Sequence, residues 1–220
     1  MDDRSAQNRP LDVLNARGLT AKREYVRGLE QRHDDEALSL LVECLCDESW
    51  YLRDLAEQAF LRLGDAGAAV LLPLLEDGLW YTRSSTARVL GRMGHRAAVP
   101  GLVRLAEDAN ATVAQSAREA LIAIAGRGGA SRIAHAIHRL PAEVQRQRIE
   151  ELQRLDHAAG ERIQRLLRRE EIMSIEEADT LHDESAVVRA SEEGLEWEVL
   201  TGPPKDRSPH AGGSPGGEPR

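Results

Sequence analysis

The chain has 220 residues, a formal charge of −8 and few aromatic residues: three Trp, three Tyr and one Phe. No stretch approaches the roughly 18 consecutive apolar residues of a membrane span, and the polar N-terminus lacks a signal peptide's apolar run. A cytoplasmic, reducing setting with no membrane partner is therefore expected. Residues 170–200 hold eleven carboxylates against Arg189 alone, so what precedes them is near neutral and lacks the basic footprint of a nucleic-acid binder.

In chain order, residues 1–19 are polar and unpatterned and read as a flexible arm. Thr20 is a candidate N-cap for a helix carrying Tyr25, Val26 and Leu29. Asp34 and Asp35 open a second helix, Glu36 to Cys46, with Leu38, Leu41, Val42 and Leu45 at helical spacing. Cys44 and Cys46 stand two apart and face different sides of that helix, which predicts neither a disulfide nor a shared metal. Asp47-Glu-Ser-Trp50-Tyr51-Leu-Arg53 then recurs thirty residues later as Asp77-Gly-Leu-Trp80-Tyr81-Thr-Arg83. Leu45, Leu75 and Leu105 keep the same spacing, and Leu63-Gly64 answers Met93-Gly94. A fixed period of this length with two helical segments per period means stacked helix pairs.

The second pair is predicted at Trp50–Leu63 and Ala66–Glu76, with Pro73 forcing a kink or a late start. The third follows at Tyr81–Met93 and Ala97–Ala106. The fourth occupies Thr112–Ala125 and Ser131–Arg139, its inner turn lengthened by Gly126-Arg-Gly-Gly129. A fifth starts at Pro141, carries Val144, Ile149, Leu152 and Leu155, and ends with Ala158–Arg169. The array thus covers 20–169. Residues 170–200 form an acidic segment, and 201–220 are a Gly-, Pro- and Ser-rich tail that cannot bury enough surface to order itself.

The run of Asp, Trp or Tyr, Arg, small residues and Leu-Gly resembles the HEAT-like repeat of the phycobilisome-lyase type. Ala97-Ala-Val-Pro100-Gly-Leu102 resembles that family's second-helix start. The resemblance implies an all-α, right-handed α-solenoid of four to five helix pairs, first helices convex and second helices concave. Such repeats serve unrelated roles, so the resemblance fixes no function. The expected function is a non-catalytic protein–protein interaction module, an adaptor or scaffold holding a protein or peptide on its concave face, with no cofactor. The alternative is a partner-dependent subunit of a phycobilin lyase or chaperone-type complex. The oligomeric state is left open.

Asp47, Asp77 and Asp108, with Arg23, Arg53 and Arg83, recur like site residues. One Asp per repeat can instead cap the following helix while the Arg bonds the neighbouring turn, forming a ladder. Trp50 and Trp80 are expected to cover inter-repeat seams. His135, His138 and His157 supply too few ligands for a metal, and no His-Glu dipeptide occurs. For partner binding, the register aligns Leu41 with Leu71 and Gly101, and Cys44 with Leu74 and Arg104. These columns are placed near the concave surface, and Val42/Leu72/Leu102 and Leu45/Leu75/Leu105 in the buried ridge. The alternative is that the same leucines complete the core. Trp197, in the alternating run Leu195-x-Trp197-x-Val199, is the last candidate contact. Its segment either lies against the array near Arg162, Arg165, Arg168 and Arg169 or is offered to another protein.

Overall fold

The computed structural model describes Leu14, residues 17–32 and residues 34–170. The chain divides into two units, Met1–Ile175 and Glu176–Arg220, and every described residue belongs to the first. Residues 171–220, with the expected contact at Trp197, lie outside the described residues.

Among the described residues every regular element is helical. The first pair is α1 (Leu19–Arg32) and α2 (Asp35–Leu45); the second is α3 (Trp50–Leu63) and α4 (Asp65–Leu71), continued by a 3-10 turn, Leu72–Leu75. The third is α5 (Trp80–Met93) and α6 (Val99–Leu105), the latter preceded by a 3-10 turn, Arg96–Ala98. The fourth is α7 (Ala111–Ile124) and α8 (Ala130–His138), and α9 (Ala142–Leu155) pairs with a helix α10 over residues 157–170. First helices pack on first helices in chain order, and α2, α4, α6 and α8 do the same, which makes the unit an all-α solenoid.

Local chemistry explains the boundaries. Asp34 caps α2, its carboxylate accepting the Ala37 N–H at 2.7 Å; Asn110 caps α7 through the N–H groups of Thr112 and Val113. Gly64 and Gly94 stop α3 and α5 with φ of 61° and 74°, a region that favours glycine. Pro73 sits in the opening turn of the 3-10 segment. Tightening from α to 3-10 there accommodates a residue with no N–H to give. Of the expected flexible arm, residues 1–13, 15 and 16 lie outside the described residues; Leu14 is helical and 6% exposed, joined to the core, with its carbonyl accepting the Arg17 N–H. Leu11, Val13 and Leu14 are a cluster of apolar residues too short to establish a period. Helix α1 also starts at Leu19, one residue before the expected Thr20 cap.

The closest seam is between α5 and α7. Small buried residues line it: Ser84, Ser85, Ala87 and Gly91 on one side, Ser116, Ala117 and Ala120 on the other. A Cβ added at Gly91 would lie 2.5 Å from the Ala120 Cα, so only glycine permits this approach. The Ser84 and Ser116 hydroxyls bond each other at 2.8 Å, satisfying both where water is excluded.

Candidate interaction site

The N-terminal ends of the first helices form one edge of the array, and the copied motif lies along it. Arg23 donates to the Tyr51 hydroxyl at 3.0 Å, Arg53 lies 4.6 Å above the Tyr81 ring, and Arg83 donates to both Asp108 carboxylate oxygens. Each arginine thus reaches the next pair, forming a ladder. Arg53 and Arg83 also hold their own approach turns, through the carbonyls of Asp47 and Glu48 and of Gly78. The aspartates differ from the expected caps. Asp47 and Asp108 accept the N–H two residues on, at Ser49 and Asn110, and so shape the turn before the cap. Asp77 is exposed, and its side chain makes no hydrogen bond among the described residues.

Trp50 and Trp80 do not cover seams. They are 71% and 47% exposed, each standing edge-on to its own neighbouring tyrosine at 5.7 Å. Both open their helices, where the side chain leans back toward the N-terminus and out of the stack. Leu19 and Leu79, 60% and 58% exposed, occupy the same edge. Among the described residues, four of the five exposed large apolar side chains are therefore here. Leu19, Trp50 and Trp80 each open a first helix, so they follow one another along this edge from pair to pair.

The second-helix columns are also corrected. Leu41, Cys44 and Leu71 are fully buried and Leu74 half-buried, so the columns expected near the surface belong to the core. Helix α2 buries Ala37, Leu41, Cys44 and Leu45, which are spaced i, i+4, i+7 and i+8 along one face. Val42 and Leu72 fall beside that stripe and are half-buried, whereas Leu102 and the Leu45/Leu75/Leu105 column are buried. Gly101 occupies the Leu71 position because a Cβ there would come within 2.8 Å of Leu75 Cδ1.

Arg104 does reach the surface. It flanks a groove of about 450 Å³ between α6 and α8, floored by Pro100, Val103, Ala136 and Leu140 and rimmed by Arg104, Arg132, His135 and Arg139. Arg104 pairs with Glu76, and His135 Nδ1 lies 3.4 Å from a Glu170 carboxylate oxygen. Arg132 and Arg139 make no ion pair among the described residues. None of the lining residues is acidic. The groove between α1 and α3 contains Glu30, and that between α9 and α10 contains Glu150.

One polar centre gave no recognisable sequence signal. Arg148 on α9 is 1% exposed. It donates to the Ala106 carbonyl at 3.1 Å and to Glu107 at 2.8 Å, and pairs with Glu151. Arg118 joins it on Ala106 at 2.8 Å and on Glu151 at 3.0 Å. The Ala106 carbonyl ends α6, where cationic donors are favoured by the helix dipole. In sequence Arg148 ends the run Gln145-Arg-Gln-Arg148 and looks no different from Arg146, which is exposed.

Both cysteines are shielded from solvent to different degrees. Burial pushes the Cys44 thiol up to about 12, far from thiolate at neutral pH, and burial raises Cys46 as well. His157 lies 3.3 Å from Glu161, and His135 lies 3.4 Å from Glu170. Among the described residues no group of three or more His, Cys, Asp or Glu is placed to hold a metal, and no helix is long and apolar enough to cross a membrane.

Comparison with known proteins agrees with the architecture. Residues 68–153, from the middle of α4 into α9, match the family model of HEAT repeats. No curated protein matches the chain. Residues 68–153 are therefore HEAT-like repeats, and the helix pairs on either side of them continue the same like-on-like stacking.

Proposed function

We propose that the chain is a non-catalytic protein-binding module, an adaptor or scaffold whose partner seats on the aromatic edge of the array. HEAT repeats generally serve protein–protein interaction, and one observation carries the finer reading. Trp50 and Trp80 are exposed while nearly every other large apolar side chain of the described array is buried or half-buried. Tryptophan and tyrosine are enriched among the residues that dominate binding energy. An exposed apolar stripe commonly marks an interaction surface. Each tryptophan stands edge-on to a tyrosine that an arginine of the preceding pair holds, by a hydrogen bond at Tyr51 and by stacking at Tyr81, so ordering the rings on binding costs little. The site moves from the expected concave columns, which are core, to this edge.

The test compares full-length protein with a Trp50→Ala, Trp80→Ala variant. Both changes remove exposed rings, so the melting temperature should stay within a few degrees. Proteins cross-linked to the wild type in source cells should be lost with the variant, and the same loss should recur with purified partner. An unchanged cross-linking profile would refute the edge as the binding surface.

A further inference from the structure

We propose that the groove between α6 and α8 is a second binding site, built for a short acidic segment of a partner protein carrying an apolar side chain. It goes beyond the aromatic edge: it lies on the second-helix layer and its chemistry is electrostatic. Four groups on its rim carry or can carry positive charge, and none of its lining residues is acidic. Arg132, His135 and Arg139 follow one another at i, i+3 and i+7 on α8 and its C-terminal turn, so they share one face. All three are exposed. With Arg132 and Arg139 unpaired among the described residues, two of the three donors on this face have no carboxylate of their own. Arginine forks match carboxylate geometry and hold it through two parallel N–H bonds.

The two partnered groups strengthen the reading. Arg104–Glu76 joins side chains that are 61% and 63% exposed, and His135–Glu170 joins side chains that are 53% and 38% exposed. Such exposed pairs are weak, so an incoming carboxylate can replace Glu76 or Glu170. The floor of Pro100, Val103, Ala136 and Leu140 offers room for an apolar side chain between the arginines. That mixture of an apolar floor and a cationic rim suits a peptide alternating acidic and apolar residues.

A nucleic-acid backbone suits it less well. A phosphate strand carries a charge at every nucleotide and needs cations along its track. Here Glu76 and Glu170 flank the groove, and the chain as a whole carries −8.

A phage-displayed library of random twelve-residue peptides, selected against the full-length protein, supplies the probe. The expected winners are rich in Asp and Glu and contain at least one large apolar residue. Their binding, read by fluorescence anisotropy, should weaken about tenfold or more in an Arg132→Glu, Arg139→Glu variant of unchanged melting temperature. It should also weaken when Gln replaces Glu in the peptide and as salt rises, since exposed charges are screened. Trp50→Ala, Trp80→Ala should leave it unchanged, so failure here and failure of the aromatic edge are separately visible. An absence of enriched peptides, winners without acidic bias, or binding indifferent to the arginine changes would overturn the proposal. So would a fluorescein-labelled oligothymidine that binds the same arginines more tightly than the selected peptides do.

Discussion

Replacing Gly91 with alanine tests the α5–α7 seam. The new Cβ would stand 2.5 Å from the Ala120 Cα, 2.6 Å from its Cβ and 3.3 Å from its carbonyl oxygen. Ordinary contact begins at 3.4 Å, so the two helices must part by about 1 Å, against backbone and not the flexible tip of a side chain. Overpacking of this kind costs about 1–3 kcal/mol. The same parting stretches the 2.8 Å Ser84–Ser116 bond toward loss. Ser84 keeps its bond from Arg88, but leaving the buried Ser116 hydroxyl unpaired costs about another 1–3 kcal/mol. Against these stands a helix-propensity gain of about 1 kcal/mol for alanine over glycine. The net is a destabilisation of about 1–5 kcal/mol, or roughly 3–15 °C in melting temperature for a unit of this size. Gly28→Ala is the control, because a Cβ at Gly28, within exposed α1, meets nothing within 4 Å. That change should stabilise by up to about 1 kcal/mol. Urea denaturation of both variants decides the matter. If Gly91→Ala is as stable as Gly28→Ala, the seam is not as tight as described and the reasoning fails.

Three further outcomes follow from the same geometry. Arg148→Met should destabilise by about 2–4 kcal/mol, somewhat less than a wholly orphaned buried charge, because Arg118 still holds Glu151 and the Ala106 carbonyl; an unchanged denaturation midpoint refutes this. The Ala37 N–H, then Arg32, hold the Asp34 carboxyl below its ordinary 3.8. A folded value below the unfolded one gives stability that is complete above the unfolded value and is lost as pH falls through the folded one. Asp34→Ala should therefore lower the melting temperature at neutral pH, with the gap to wild type closing below about pH 4; a gap constant across that range contradicts it. At mildly alkaline pH, iodoacetamide should label half-buried Cys46 well before Cys44, whose buried thiol sits near 12; equal rates by mass spectrometry contradict the placement.

Sequence conveyed the array because each repeat announces itself with local chemistry. The copied Asp-x-x-Trp-Tyr-x-Arg entry, the Leu63-Gly64 and Met93-Gly94 exits, and the Asp34 cap act within a turn of where they stand. Helix facing was harder, since Leu41 and Val42 are both apolar and differ by only about 100° around the axis. Which one turns inward depends on how α2 meets α3 and α4, a relation that no short window contains. Trp50 and Trp80 misled for a related reason: a large ring is usually covered, and only the stack shows that these open onto an edge. The α6–α8 groove needs Arg104 and Arg139 brought together across thirty-five positions of chain.

Arg148 alters what kind of object the array is when it melts. In a stack whose members touch only their neighbours, the end unit can peel away alone, and unfolding spreads one unit at a time. The Arg148 guanidinium belongs to the fifth pair, yet it grips the loop of Ala106 and Glu107 that joins the third pair to the fourth. Loosening α9 therefore exposes the exit of α6 as well as the face of α7. Amide exchange in α7, α8 and α9 should then slow or quicken together, as one cooperative block.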